Sequence, residues 1–153
     1  MMTAEETRKK ALALLDRRDY GSAELCAKLV EKGAEPDDAA LAVARMVELG
    51  FVNDSNYAAM VVRHYAAKGY GVSRVREELR RRKLDRELWD AALEEMPEPD
   101  DAVDTLLRSK MRGKGSDRDA LRRAGAALMR RGFTWDAVKA ATDRYMAEME
   151  CEE

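Results

Sequence analysis

Isoleucine is absent from this chain, and phenylalanine and tryptophan occur twice each, so aromatic residues make up 6% of its 153 positions. Such an inventory does not fill the thick interior of a sheet sandwich; the 25 alanines point instead to helices packed at close range. Cysteine occurs only at Cys26 and Cys151, which makes neither a disulfide framework nor a metal site. Cys26 falls inside a helical pattern, where a free thiol behaves as a small buried apolar group. The single histidine, His64, has no Cys or His partner at metal-ligand spacing and reads as a surface or boundary side chain. No metal, cofactor, small-molecule substrate or catalytic residue is therefore expected. Apolar runs stop at about six residues, far short of the ~20 that span a bilayer. Residues 1–10, M-M-T-A-E-E-T-R-K-K, lack the apolar core of a secretory signal, so the expected location is the cytoplasm.

What the chain does have is charge, 38% of all residues, and its distribution says more than its net value of −2. Residues 1–53 carry eight Lys/Arg against ten Asp/Glu. Residues 63–83 carry eight bases against two acids, and residues 108–131 nine against two. The first third and the tail 148–153 are acidic; the middle and last thirds are locally basic.

Periodicity predicts helices throughout and sustained strand alternation nowhere. Residues 4–18 form the first, with Ala11, Leu14 and Leu15 apolar and Arg17 and Arg18 at the end where cations suit the helix dipole. Ser22 is placed to cap a second, which stops at Gly33. Pro36 opens a third ending at Gly50. Asp54 or Ser55 caps a fourth, and Ser73 a fifth beginning at Arg74. Asp85 opens a helix through Met96, and Pro97 and Pro99 punctuate the chain. Beyond them come a helix over 100–111, a glycine-rich basic loop at 112–116, a helix over 117–131 and a final helix capped by Thr134. Trp89 and Trp135 are expected as core anchors.

An internal repeat underlies this order. Gly33, Lys83 and Gly132 fall at equivalent helix stops, 50 and 49 residues apart, with Leu29, Leu79 and Leu128 four residues before them. Leu25, Val75 and Ala124 lie four residues earlier again. The expected architecture is all-α: three tandem three-helix, helix-turn-helix-like repeats over 1–53, 54–98 and 99–150, the acidic tail ending at 151–153, in an elongated, curved array. Each repeat is marginal alone and needs its neighbour.

The densest positive charge lies in residues 68–83, K-G-Y-G-V-S-R-V-R-E-E-L-R-R-R-K. With Val75 and Leu79 as its buried pair, the helix presents Arg74, Arg76, Arg80, Arg81 and Lys83 outward, beside Lys68 and Tyr70 on the glycine turn. Glu77 with Arg81 and Glu78 with Arg82 have the i,i+4 spacing of ion pairs on a solvated face. The equivalent helix of the third repeat carries Arg118, Arg122, Arg123, Arg130 and Arg131, preceded by Arg112 and Lys114 in the loop. These fourteen residues are the candidate contacts to a polyanion, since guanidinium binds phosphate or carboxylate in bidentate fashion. Tyr70 can stack on a base or pack against the neighbouring helix. The G-K-G-S at 113–116 lacks the first glycine and the preceding strand of a phosphate-binding P-loop, and the acid pairs Asp37-Asp38 and Asp100-Asp101 open helices.

Three runs, R-R-D-Y-G-S-A-E-L-C-A-K-L-V-E-K-G (17–33), L-G-F-V-N-D-S-N-Y-A (49–58) and K-G-Y-G-V-S-R-V-R-E-E-L (68–79), together resemble RecX, the bacterial regulatory family that acts on the RecA recombinase. L-M-R-R-G-F-T-W-D-A-V (128–138) resembles that family's third unit. The resemblance implies a non-catalytic protein of tandem three-helix repeats that lodges in the groove of the RecA–single-stranded DNA filament. There it would restrain strand exchange, ATPase and co-protease activity in recombination, DNA repair and the SOS response; a monomer is expected. The chain departs from the family pattern at Lys83-Leu84, where a glycine usually ends the helix, and in its acidic tail. The second reading, of a different class, is a sequence-nonspecific nucleic-acid binder built from helix-turn-helix-like units.

Overall fold

The computed structural model describes residues 2–152; Met1 and the last residue of the acidic tail, Glu153, lie outside the described residues. Among the described residues there is no strand. The helices are α1 (Ala4–Arg17), α2 (Ser22–Glu31), α3 (Pro36–Glu48), α4 (Asp54–Ala67), α5 (Val72–Arg81), a 3₁₀ turn (Arg86–Leu88) leading into α6 (Trp89–Leu93), α7 (Pro99–Lys110), α8 (Arg118–Arg130) and α9 (Trp135–Glu152). The chain forms two compact units, Met1–Val61 with Glu78–Ala92, and Val62–Glu77 with Leu93–Glu153.

In the first unit α1 and α2 both pack on α3 around Ala11, Leu25, Leu29, Ala39 and Met46, with Cys26 half-buried at the edge of this core. In the second, α7, α8 and α9 enclose Val103, Leu107, Met111, Leu128 and Ala141. Alanine and valine at the contacts let the helices approach closely, which is what a chain without isoleucine can build.

The three stops share one hydrogen-bond pattern. Ala34, Leu84 and Phe133 each return their N–H to the carbonyl five residues back, Leu29, Leu79 and Leu128, at 3.0, 3.2 and 3.2 Å. The residue before each is left-handed: Gly33 at φ +111°, Lys83 at +58° and Gly132 at +97°. This is the Schellman ending, which satisfies orphan carbonyls and turns the chain sharply. The repeated leucines are fully buried, as are Leu25 and Val75, with Ala124 6% exposed.

The stops at Lys83 and Gly132 each receive the start of the preceding repeat's second helix. Gly21, just before α2, lies against Leu84 and Tyr57, and Gly71, just before α5, lies against Gly132 and Phe133. Gly21 and Gly71 are 50 residues apart; the third repeat has the buried Ala120 at the corresponding place.

Several helix starts differ from expectation. Ser22 is the first residue of α2 and not its cap; its N–H and hydroxyl both donate to the Asp54 carboxylate, at 2.7 and 2.5 Å, because Asp54 faces it across the joint. Asn53, not Asp54 or Ser55, caps α4, its side-chain oxygen accepting from Asn56 N–H at 3.1 Å. Helix α5 starts at Val72, so Ser73 is inside it, and its N–H goes to Gly132 O at 3.0 Å. The helix expected from Asp85 through Met96 is a 3₁₀ turn and five α-residues, ending before Pro97. Thr134 does cap α9, accepting from Ala137 N–H at 3.2 Å. Helix α9 continues through the acidic residues to Glu152, with Glu148 receiving Arg108 at 2.6 and 2.7 Å.

Candidate functional site

The arginines fall into two groups once their surroundings are known. Arg74 and Arg131 are half-buried and lie over the Tyr70 ring, 4.9 and 5.3 Å from its centroid. The ring quadrupole attracts both guanidinium groups, a contribution of roughly 0.5–1 kcal/mol each where solvent still reaches. Arg131 is fixed further: its Nη1 donates to the carbonyls of Lys68 and Gly69 at 3.0 and 3.4 Å, and its own carbonyl accepts from Gly71 N–H at 2.8 Å. Gly69 at φ +86° turns those two carbonyls toward it. The expectation that Arg74 points outward is corrected: its guanidinium and that of Arg131 complete the joint between the turn before α5 and the stop of α8. Tyr70 is half-buried under them, tilted against Tyr65 with ring centroids 5.8 Å apart, so it packs within the protein.

The second group is open to water. Arg76 on α5 and Arg118, Arg123 and Arg130 on α8 are exposed and have no ion pair among the described residues. Arg122 is exposed beside Asp119 at 3.3 Å, a weak pair in high dielectric. The spacing of α8 explains the arrangement, since Ala120, Leu121, Ala124, Gly125 and Leu128 occupy its inner face and leave the arginines outside. Lys68 is exposed with its Nζ 6.0 Å from the Tyr65 ring. Arg112 and Lys114 are exposed in the loop before α8, at the opposite end of that helix from Arg130 and Arg131. Thirteen residues of α-helix make ~20 Å, so the structure does not gather these two with the Tyr70 cluster. The loop itself is pinned by Tyr145 Oη donating to Gly115 O at 2.5 Å.

In the other unit, Arg80 and Arg81 are exposed at the end of α5 with Lys83 just past it. Arg80 lies 5.6 Å and Arg86 5.2 Å from the ring centre of Trp89, which is 3% exposed and donates its indole N–H to Leu84 O at 3.0 Å. Trp89 is the core anchor expected. The acids of α5 behave differently from expectation. Glu78 is 1% exposed rather than solvated, with Arg82 at 2.6 Å and Arg81 at 3.4 Å, because the helix face that buries Val75 and Leu79 carries Glu78 inward with them. Arg81 thus pairs with Glu78, where the spacing had suggested Glu77. Near by, Tyr57 Oη donates to Glu24 at 3.1 Å, and its phenol is pushed above its usual range by burial first and by the Glu24 charge second.

Sequence reasoning missed one exposed residue. Trp135 is not a core anchor but 61% exposed as the first residue of α9, since Phe133 fills the core position two residues earlier and Val138 the next inward one. No group of three His, Cys, Asp or Glu able to hold a metal ion occurs among the described residues.

Comparison with known proteins places this arrangement. Family models described as the first, second and third three-helix domains of RecX match residues 8–46, 53–93 and 98–142 in that order. A regulatory protein RecX from Xanthomonas axonopodis pv. citri is 40% identical over 137 residues, 88% of this chain and 84% of that one. The chain belongs to the RecX family. A relative of the same name from Stenotrophomonas maltophilia is 39% identical over 137 residues, 88% of this chain and 83% of that one. The crystal structure of RecX from Lactobacillus salivarius shares the fold, with a TM-score of 0.78 at 19% identity and 97% of each chain covered. A second crystal structure, of a regulatory protein RecX, gives a TM-score of 0.78 at 18% identity over 92% of this chain and 73% of that one. The three three-helix domains of the RecX family are therefore the repeats whose stops fall at Gly33, Lys83 and Gly132.

Proposed function

We propose that this chain binds the RecA–single-stranded DNA filament in the cytoplasm and restrains its strand exchange, ATPase and co-protease activities, without catalysis of its own. The observation that carries this reading is the set of exposed arginines with no ion pair among the described residues, Arg76, Arg118, Arg123 and Arg130, on helices of a RecX-family protein. Their helices already bury their apolar faces, so the guanidinium groups contribute nothing to the fold and are available to phosphate or carboxylate. Arg74 and Arg131 support the surface from beneath rather than forming it.

The test is the DNA-dependent ATPase of the cognate recombinase on single-stranded DNA, titrated with this protein at fixed salt beside its affinity for that DNA alone. Inhibition well below stoichiometric coverage of the strand, with weak affinity for bare DNA, is the expected outcome. Inhibition only when the strand is saturated would mean competition for DNA, the behaviour of a plain nucleic-acid binder, with the steep salt dependence that counterion release imposes.

A further inference from the structure

Next to the Tyr70 cluster, the second unit holds a pocket of about 470 Å³. Its walls come from the end of α4, the turn at Gly69 and Tyr70, the connection from Leu93 to Pro99, and the start of α9. Val72, Leu93, Met96, Pro97 and Phe133 make the lining predominantly apolar, and the two prolines of the connection preset part of its backbone. The only charged lining residues are Glu94 and Glu98, both exposed and neither in an ion pair among the described residues. Their neighbour Glu95 is already taken by Arg63 at 3.6 Å. Trp135, in sequence between the lining residues Thr134 and Ala137, is 61% exposed.

We propose that this pocket is a protein-docking site that takes one bulky apolar side chain from a partner segment in which that residue is flanked by Lys or Arg. The apolar concavity supplies the anchor, two uncompensated carboxylates select the flanking charge, and an exposed tryptophan is the residue type that interfaces recruit. Its charge preference is the reverse of that of the exposed arginines, so the two surfaces take different chemistry. The inference does not depend on the filament reading.

The probe is the hexapeptide Lys-Lys-Leu-Phe-Lys-Lys, titrated against the full chain at physiological salt and followed by tryptophan emission. Trp135 reports by a blue shift as it is covered, while Trp89, 3% exposed, gives a constant background. A saturable shift is expected, with affinity about tenfold or more weaker for Glu-Glu-Leu-Phe-Glu-Glu and for Lys-Lys-Ser-Ser-Lys-Lys. Ala102→Trp, which fills the pocket, abolishes binding, and the exposed double variant Glu94→Gln/Glu98→Gln weakens the basic peptide about tenfold. Absence of saturation overturns the proposal, as does equal binding of the serine peptide, which would show attraction by charge alone. If Ala102→Trp loses its helical circular dichroism, the glutamine double variant decides: unchanged affinity for the basic peptide overturns the proposal.

Discussion

Lys83 and Gly132 end their helices in the same left-handed turn, yet they meet different neighbours. A Cβ built on Gly21, which faces the Lys83 turn, would lie 3.2 Å from Leu84 Cδ2, the tip of a side chain that can give way. A Cβ on Gly71, which faces the Gly132 turn, would lie 2.5 Å from both Gly132 C and Phe133 N, and one on Gly132 would lie 2.6 Å from Arg74 N. Backbone cannot move aside. The first joint is tied by carboxylates, Asp54 to Ser22 and Glu24 to Tyr57; the second by backbone carbonyls and one arginine, Arg131. At these two stops the residue goes with what lies against it: a left-handed non-glycine costs ~1–2 kcal/mol, which the fold absorbs at Lys83. The same turn packed on backbone leaves room for glycine alone.

The comparison breaks most visibly at Gly132. Gly132→Ala combines the left-handed cost with a clash against the start of α5, for a loss of about 3 kcal/mol, or roughly 10 °C in Tm. Chemical denaturation and calorimetry measure it; a loss below 1 kcal/mol would mean the joint yields easily and the contrast with Lys83 is wrong. Glu78→Ala attacks the other joint. It removes the acid that lies 2.6 Å from the partly buried Arg82, and weakening the pairing of that charge costs about 2–3 kcal/mol, while Glu77→Ala on the exposed face changes stability by less than about 0.5 kcal/mol. Equal effects of the two substitutions would place Glu78 in water.

Arg131→Ala and Arg130→Ala separate support from contact. Arg131 loses two carbonyl partners and its stacking on Tyr70, which predicts about 1–2 kcal/mol of destabilisation and faster amide exchange at Gly69 and Tyr70. Arg130 predicts no change in stability beyond about 0.5 kcal/mol but weaker, less salt-sensitive binding to the filament. If Arg130→Ala destabilises as much as Arg131→Ala, the division of the arginines fails.

Much of this was legible in the residues. The helices, their order, the repeat and the buried Val75/Leu79 seam follow from periodicity and from the spacing of the stops, and the quoted runs carry the family. The division of the arginines was not legible, because Arg130 and Arg131 are adjacent and chemically identical, and only the fold decides which one meets the carbonyls of a turn 63 residues away. Glu78 and Trp135 fail for a related reason. Helix period places a side chain on a flank, but burial at the flank depends on the neighbouring element, which no local pattern contains. The caps at Ser22 and Ser73 misled because a nearby glycine, held by tertiary contact, starts each helix one or two residues earlier than the hydroxyl suggests.

The smallest effect is the most discriminating. Lys83→Gly removes the left-handed penalty, ~1–2 kcal/mol, but frees the unfolded chain by 0.4–1 kcal/mol, so about 0.5 kcal/mol of net stabilisation is expected. If lysine were retained at this stop for its charge, the glycine variant would be more stable and yet bind the filament less tightly, with a shallower salt dependence. If the stop needs only the turn, binding stays unchanged while stability rises. A loss of stability would show instead that the Lys83 side chain packs on its surroundings and offsets its own backbone strain, and the rule drawn from Gly132 would no longer explain why the middle repeat does without glycine.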